Sequence, residues 1–239
     1  MKYFIQYTLI AVMAWSCWSC ATVEPSVSQA ATIDPIESVL IATNIENTPV
    51  VSYLGITIFE NKNSYLLDFE YDLNQLILSQ ADSLIKAMGF TAAVNEKPLP
   101  EAIINGLERS RKKRMELTRE LRAQGVDALL FLEQGSAQAG LNYGHGSYIK
   151  DHGFFLVRTG LERRDQVKMP VRIHFLDLRT GRRKYKYITD GEELPEYIKD
   201  FAHIKESDDV TEADREILIA QYKMKVDDLI NEIRALIKE

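Results

Sequence analysis

Cysteine is almost absent from this chain of 239 residues, whose two cysteines, Cys17 and Cys20, both lie within the first twenty positions. The rest of the chain therefore cannot form an internal disulfide bond, and a packed core must stabilise it. Long hydrophobic runs are missing as well. Residues 3–15 are uncharged and mostly apolar, but a helix that crosses a bilayer needs about 20 such residues. A net charge of −6 argues against general nucleic-acid binding.

The first twenty residues have the parts of an export signal in the expected order. Lys2 precedes the apolar stretch, which ends in small residues beside the two cysteines (Ser16-Cys17-Trp18-Ser19-Cys20). A cleavable signal has such a charged start, a short apolar core and small residues at its cleavage site. A plain secretory signal and an uncleaved anchor are alternatives. The cysteines favour a bacterial lipoprotein signal, because lipoprotein processing makes a cysteine the new amino terminus.

Cys20 is the predicted lipid attachment site, with Cys17 as the alternative. Cleavage before Cys20 leaves a polar segment that begins with Ala21, whereas cleavage before Cys17 leaves Trp18 at the membrane surface. Neither cysteine is followed by the aspartate that commonly retains lipoproteins in the inner membrane. We therefore expect an outer-membrane protein that faces the periplasm. Its acyl chains bury methylenes at about 0.8 kcal/mol each, so the protein is anchored to the membrane and does not span it.

The chain is predicted to consist of a signal peptide (residues 1–19), a flexible tether (residues 20–37) and one periplasmic α/β domain (residues 38–239). The tether is rich in serine, alanine and threonine, contains Pro25 and Pro35 and has no hydrophobic periodicity. Such a composition is typical of spacers between folded parts. The remaining length is sufficient for a single domain with a substantial core.

The hydrophobic pattern predicts the α/β (α+β) class, with a single mixed sheet packed by two amphipathic helices and a long C-terminal helix. Helices are expected at residues 72–88, 101–124 and 212–238, where apolar side chains recur every three or four positions. Strands are expected at residues 38–45, 53–60, 90–94, 126–132, 154–159, 171–177 and 182–189. Residues 134–153 are rich in glycine and are predicted to form a long loop.

The C-terminal helix carries an apolar stripe with alternating three- and four-residue spacing, which is typical of a coiled coil. The stripe consists of Ile219, Tyr222, Val226, Leu229, Ile233 and Leu236. Ile230 and Ile237 widen it, which favours docking on a sheet over dimerisation. Thr211 and Asp214 are spaced like the two residues of a capping box at the start of this helix.

Four short segments, taken in order, carry a family resemblance. They are residues 54–63 (a strand and Phe-Glu-Asn), 89–94 (Gly-Phe and an apolar strand), 121–130 (Gly125 and Asp127 before a buried strand) and 175–181 (a strand and an Asp-x-x-Thr-Gly hairpin). The chain thus resembles a periplasmic α/β lipoprotein superfamily. This superfamily includes the curli secretion-channel lipoprotein, the amino-terminal domain of the Tol translocation protein, lipoprotein activators of penicillin-binding proteins and auxiliary lipoproteins of transport systems. Its members mostly act as structural or regulatory partners and share no catalytic residues, so the resemblance implies no catalytic set here.

A basic run in the second predicted helical region is a candidate partner contact. It could bind anionic lipid headgroups, an acidic partner or the cell-wall polymer. Its residues are Arg109, Arg111, Lys112, Lys113 and Arg114. A solvated helix face balanced by Glu108, Glu116 and Glu120 is the alternative explanation.

The glycine-rich loop is a second candidate contact, because loops often carry binding residues. Its candidates are Tyr143, His145 and Tyr148. A hydrolytic site made of His145, His152, Asp151 and Ser147 is an alternative for this region. His174 alternates with its neighbours on a predicted strand and is interpreted as an ordinary histidine on a sheet face.

The sequence therefore predicts a non-enzymatic envelope lipoprotein that binds other envelope proteins as an accessory or assembly factor. An auxiliary subunit of a lipid or solute transport system is the alternative. We expect no catalytic residues, no cofactor and no metal site. The identity of the partner and the oligomeric state do not follow from the sequence.

Overall fold

The computed structural model describes most of the predicted domain, namely residues 35–56, 58–97, 99–139, 147–149, 151–159, 162–188 and 201–239. Residues 36–239 belong to one compact unit. The predicted signal peptide and most of the predicted tether, with Cys17 and Cys20, lie outside the described residues.

In the described part of the chain, the helices are α1 (Leu73–Ala87), α2 (Glu101–Leu107), α3 (Arg111–Leu117), α4 (Arg119–Ala123) and α5 (Glu212–Lys238). The strands are β1 (Ser38–Thr43), β2 (Val50–Leu54), β3 (Lys62–Tyr65), β4 (Thr91–Asn95), β5 (Ala128–Gln134), β6 (Ala137–Ala139), β7 (Ser147–Ile149), β8 (Gly153–Thr159), β9 (Glu162–Lys168), β10 (Val171–Asp177) and β11 (Arg183–Ile188). Short 3-10 turns lie at Ile58–Glu60 and Ser207–Asp209. The fold is mixed α and β, as the sequence predicts.

Sheet A contains five strands in the order β11-β10-β5-β1-β4. Strand β1 runs parallel to β4 and β5, whereas β10 runs antiparallel to β5 and to β11. The starts of β1 and β5 therefore lie at the same end of the sheet as the end of β10, where Ala128 pairs with both Val39 and Asp177. We call this the entry end, because the chain enters β1 there.

Sheet B contains four strands in the order β3-β2-β8-β9, so the prediction of a single sheet was wrong. Residues 44–49 carry the chain away from β1, and the Val50 N–H then donates to the His152 carbonyl at 2.7 Å, which starts the parallel pairing of β2 with β8. The sequence pattern missed β3 and β9 because neither has an apolar face: five of the seven side chains of β9 are charged.

The predicted loop at residues 134–153 contains a short two-stranded ribbon, in which β6 pairs antiparallel with β7 and Gln138 lies opposite Tyr148. The glycine-rich residues between these strands, including Tyr143 and His145, lie outside the described residues.

The strand predicted at residues 53–60 was wrong beyond Leu54. The chain turns at Gly55, whose N–H donates to Asn61 Oδ1 at 3.1 Å, and the Ile56 N–H donates to Glu60 Oε2 at 2.9 Å. Ile56 therefore points outward and is 70% exposed instead of sharing a buried face with Leu54. The alternation of apolar residues wrongly predicted a strand here, because the side chains of Asn61 and Glu60 accept backbone N–H groups and thereby close a tight turn.

The main core lies between sheet A, helices α1 and α5, and one face of sheet B. Its largest fully buried side chains come from all of these elements and include Ile41, Leu73, Ile77, Phe154 and Tyr222. Burial of each such side chain stabilises the fold by about 1.5–3 kcal/mol. The predicted helix at residues 72–88 is confirmed as α1, and Asp72 caps it by accepting the Gln75 N–H at 2.8 Å.

A second, smaller core lies on the other face of sheet A, beneath α2–α4. It contains Leu107, Leu129, Phe131 and Leu176. The single helical region predicted at residues 101–124 is thus three short helices, separated at residues 108–110 and at Thr118. Thr118 is buried and its hydroxyl donates to the Arg114 carbonyl at 2.8 Å, which ends α3.

Helix α5 docks on sheet A and on α1, as its wide apolar stripe predicts. The predicted capping box is present, since Thr211 and Asp214 each accept the other residue's backbone N–H. The buried residues of α5 include Leu218 in addition to most of the predicted stripe. Across the described part of the chain, no helix combines the length and apolarity that a membrane span requires.

Candidate functional site

The second face of sheet A changes from apolar to charged along β5 and β10. Because side chains alternate between faces of a strand, Leu129, Phe131 and Glu133 of β5 share this face. His174 of β10 pairs with Phe131 in register, and Arg172 pairs with Glu133. Helices α2–α4 cover the apolar part near the entry end, and the charged part borders a cavity.

We call this cavity the Glu133 cleft. It has a volume of about 480 Å³ and is lined by Ile104, Asn105, Glu108, Arg109, Glu133 and Arg172. Asn105, Glu108 and Arg109 are exposed, whereas Glu133 and Arg172 are partly buried on the sheet. The cleft thus has a charged floor provided by the sheet and a wall provided by α2 and the residues that follow it.

The side chains of His174 and Glu133 form a hydrogen bond beside the cleft. His174 is 1% exposed, and its Nε2 lies 3.0 Å from Glu133 Oε2. The hydrogen bond from His174 holds the pKa of Glu133 below its usual range. The charge of Arg172 lowers this pKa as well, whereas burial of the carboxylate raises it. Glu133 is therefore ionised near neutral pH, and His174 Nε2 carries the proton that it donates. The Nδ1 atom of His174 is buried without a hydrogen-bond partner.

Arg172 connects the floor of the cleft to its wall. Its Nη1 lies 3.6 Å from Glu133 and 3.8 Å from Glu108, and its guanidinium lies over the ring of Tyr187 at 5.5 Å. Its Nε atom is buried and has no hydrogen-bond partner. A planar cation that is stacked and paired in this way is well placed to bind a carboxylate or a polar main-chain group.

Two tyrosines of β11 lie beside His174 and Arg172 on the neighbouring strand. Tyr185 lies opposite His174 and its ring is 5.3 Å from the imidazole, while Tyr187 lies opposite Arg172. Tyr185 is 43% exposed and lies under the guanidinium of Arg183 at 5.2 Å. The six lining residues include no serine, threonine or cysteine.

The structure places the predicted contact residues of the basic run on two sides. Arg109 lines the Glu133 cleft. Arg111 and Arg114 turn towards the β10–β11 hairpin and donate to the carbonyls of Thr180 and Gly181. Lys112 and Lys113 are exposed on α3. Lys113 pairs with Glu116 at 3.1 Å, as the balanced-face explanation expects for one of the acids.

Of the predicted loop contacts, Tyr143 and His145 lie outside the described residues, and Tyr148 belongs to β7. Of the alternative hydrolytic site, the structure describes the side chains of His152 and Asp151. His152 is 1% exposed, with Nδ1 facing the Tyr222 hydroxyl and Nε2 facing the Glu46 carbonyl. Burial holds the pKa of His152 below its usual range, so the ring is neutral and both nitrogens are occupied.

Asp151 joins the same structural network. It accepts hydrogen bonds from the Tyr65 hydroxyl at 3.0 Å and from the Gln134 amide at 3.1 Å. Asp151 and its hydrogen bond raise the pKa of Tyr65. Asp151 thus has a structural role, because its contacts join the ends of β3 and β5 to the start of β8. Within the described residues, no cluster of histidine, cysteine and carboxylate side chains could hold a metal ion.

Sequence reasoning missed Glu133 and Arg172 as site residues and treated His174 as an ordinary residue of a sheet face. A usable signal was present: Glu133 follows five buried residues of β5, and Arg172 and His174 alternate with buried apolar residues on β10. Charged residues on the same face of adjacent strands mark a place where the sheet is not covered by apolar packing.

No family model, curated protein or solved structure matches this chain. The resemblance to the periplasmic lipoprotein superfamily therefore remains a prediction.

Proposed function

We propose that this protein is a membrane-anchored periplasmic lipoprotein that binds another envelope protein and acts as a non-enzymatic accessory or assembly factor. The N-terminal segment supports the anchoring, because Lys2, a short apolar stretch and a cysteine preceded by serine match a lipoprotein signal. The resemblance to the periplasmic α/β lipoprotein superfamily supports the binding role.

The observation that carries the binding role is the combination of residues at the Glu133 cleft. Arg109 lines the cleft and is exposed, and Arg172 is stacked and ion-paired within it. Tyr185 is exposed on the neighbouring strand, opposite His174. Arginine and tyrosine are the residue types most enriched at the energetic centres of protein interfaces. A partner segment that places a carboxylate or a main-chain carbonyl against Arg172 and packs on Tyr185 satisfies both features.

Site-specific cross-linking in intact cells tests this proposal. A photo-reactive amino acid is placed at position 185, in place of Tyr185, and at position 224, in place of Met224, which is 58% exposed on α5. We expect a reproducible adduct of one mass from position 185 and none from position 224. Adducts from neither position, or the same adducts from both, would contradict binding at the cleft.

A charge reversal adds a matched control to the cross-linking. Arg109→Glu is expected to abolish the adduct from position 185, because it places a third acid beside Glu108 and Glu133. Lys223→Glu makes the same change at an exposed position of α5 and is expected to leave the adduct unchanged. Equal yields in the two variants would show that the charge of the cleft does not contribute to binding.

The alternative function, an auxiliary subunit of a lipid or solute transport system, has weaker support from the cleft. Four of the six lining residues are charged, and a lipid chain requires an apolar lining. Native mass spectrometry of the purified protein distinguishes the two functions, since a co-purifying solute would favour the transport role.

A further inference from the structure

The chain enters the domain at a fixed position. Asp127, directly before β5, accepts the backbone N–H groups of Glu37 and Ser38 at 2.9 and 3.0 Å and donates its own N–H to the Ser38 hydroxyl at 3.0 Å. The Ser38 hydroxyl also donates to the Gly125 carbonyl at 2.9 Å. Glu37 therefore lies at the entry end of sheet A.

The hairpin between β10 and β11 lies at the same end. The Leu178 N–H donates to the Asp127 carbonyl at 2.8 Å, which joins the hairpin directly to the residue that holds the chain entry. Asp177 Oδ1 accepts the N–H groups of Arg179 and Thr180 and thereby fixes the turn.

Helix α3 is attached to the outside of this hairpin. The guanidinium of Arg114 donates to the Gly181 carbonyl at 2.9 Å and to the Arg109 carbonyl. Arg111 donates to the Thr180 carbonyl. The carbon atoms of Arg111 and Met115 lie so close to Gly181 that a Cβ there would meet them at 2.8–3.0 Å. The hairpin and α3 thus present their charges as one surface.

This surface is strongly basic although the protein is acidic. Helix α3 contains four basic side chains and one acidic one, and the turn between β10 and β11 adds Arg179 and Arg182, whereas the whole chain has a net charge of −6. Lys112, Lys113 and Arg182 are exposed. We call α3 and the turn between β10 and β11 (residues 178–182) together the basic end.

We propose that the basic end binds anionic phospholipid headgroups of the membrane to which the protein is anchored. The inference rests on the lipid anchor proposed above. Residues 21–35 separate Cys20 from the chain entry, and fifteen residues reach at most about 50 Å when fully extended. Because the chain entry lies at the same end of sheet A as the basic end, the anchor allows the basic end to reach the headgroups. There, each basic side chain gains from the negative surface potential. The opposite end of sheet A and the Glu133 cleft then face away from this surface towards the partner.

Lysine accessibility in vesicles tests the proposal with the full, lipidated chain. The protein is reconstituted into vesicles of phosphatidylcholine alone or of phosphatidylcholine with phosphatidylglycerol, and an amine-reactive reagent is added. Peptide mass spectrometry then gives the modification rates of Lys112 and Lys113, with Lys223 on the exposed side of α5 as the internal control. We expect Lys112 and Lys113 to react about fivefold more slowly in the anionic vesicles, and Lys223 to react equally in both.

High salt is expected to remove the protection, because charge attraction to a headgroup is screened within about 10 Å at ordinary ionic strength and more strongly above it. A double variant, Lys112→Glu with Arg182→Glu, is expected to make Lys113 react equally in both vesicle types. The variant Lys223→Glu changes an exposed charge outside the basic end and is expected to keep the protection of Lys113.

Two outcomes overturn the proposal separately from the anchor. Equal reactivity of Lys112 and Lys113 in both vesicle types, with lipid present on the amino-terminal peptide of the same sample, refutes headgroup binding and leaves the anchor intact. Protection that appears only in native envelopes and never in vesicles assigns the basic end to an acidic partner protein. Absence of lipid on both cysteines refutes the anchor and, with it, the orientation proposed here.

Discussion

Tyr222→Phe removes a single hydroxyl group from the centre of the main core. Tyr222 is fully buried, and its hydroxyl faces Nδ1 of His152. Because His152 is neutral and its Nε2 faces the Glu46 carbonyl, Nε2 carries the proton and Nδ1 needs a donor. Phenylalanine retains the edge-on ring contacts with His152 and Phe69 at 5.2 and 6.3 Å. The substitution therefore isolates the hydrogen bond.

The expected cost follows from leaving one buried acceptor unsatisfied, which destabilises a protein by about 1–3 kcal/mol. For a domain of about 200 residues, each kcal/mol lowers the melting temperature by about 2–4 °C. Tyr222→Phe should therefore lower the melting temperature by about 2–12 °C.

Thermal unfolding followed by far-ultraviolet circular dichroism measures this change near neutral pH. Tyr185→Phe is the matched control, since Tyr185 is 43% exposed and water can solvate its surroundings. The control is expected to melt within about 1 °C of the unmodified protein. If Tyr222→Phe melts like the control, the hydrogen bond between Tyr222 and His152 does not contribute to stability and the reasoning is refuted.

Three further predictions concern the same framework. Burial lowers the pKa of His152 in the folded state, so the unfolded chain binds the proton first as the pH falls. The free energy of unfolding should therefore decrease below about pH 6.5, by up to about 1.4 kcal/mol per pH unit. In urea titrations at several pH values, His152→Gln should lack this slope. Gly153 has a φ of +138° and an added Cβ would lie 2.1 Å from the Val50 carbonyl oxygen, so Gly153→Ala should cost at least about 2 kcal/mol in urea unfolding. Gly89→Ala, where φ is +90° but the space is open, should cost less, and equal costs would contradict the steric argument. Asp127→Ala should accelerate hydrogen exchange at the chain entry while the rest of sheet A keeps its protection; unchanged exchange there would contradict the role of Asp127.

The elements with local signals could be predicted from the sequence. The bounds of α5 and β10 are those that the apolar spacing indicates, and the Asp-x-x-Thr-Gly hairpin has the expected turn, with Gly181 at a φ of +68°. Gly125 and Asp127 of the predicted motif each have a structural role. Gly125 follows the end of a helix with a φ of +80°, and Asp127 fixes the start of β1 by accepting backbone N–H groups. Each of these signals depends on residues close together in the chain.

The division into two sheets could not be predicted, because it depends on which distant strands pair. Strand β2 pairs with β8, about a hundred residues away, and no local pattern specifies that choice. The Glu133 cleft was missed for the same reason. Glu133 and Arg172 lie far apart in the sequence and become neighbours only through the antiparallel pairing of β5 with β10.

The mass of the mature amino-terminal peptide shows whether the protein is anchored to the membrane through lipid. We expect the peptide to begin at Cys20 and to carry acyl chains. We also expect Cys20→Ser to abolish acyl labelling and to remove the protein from the outer-membrane fraction. A lipidated Cys17 followed by unmodified Cys20 would move the attachment site, and Cys17→Ser would then be the variant that loses the lipid. An amino-terminal peptide without lipid on either cysteine would contradict the anchored lipoprotein that this account proposes.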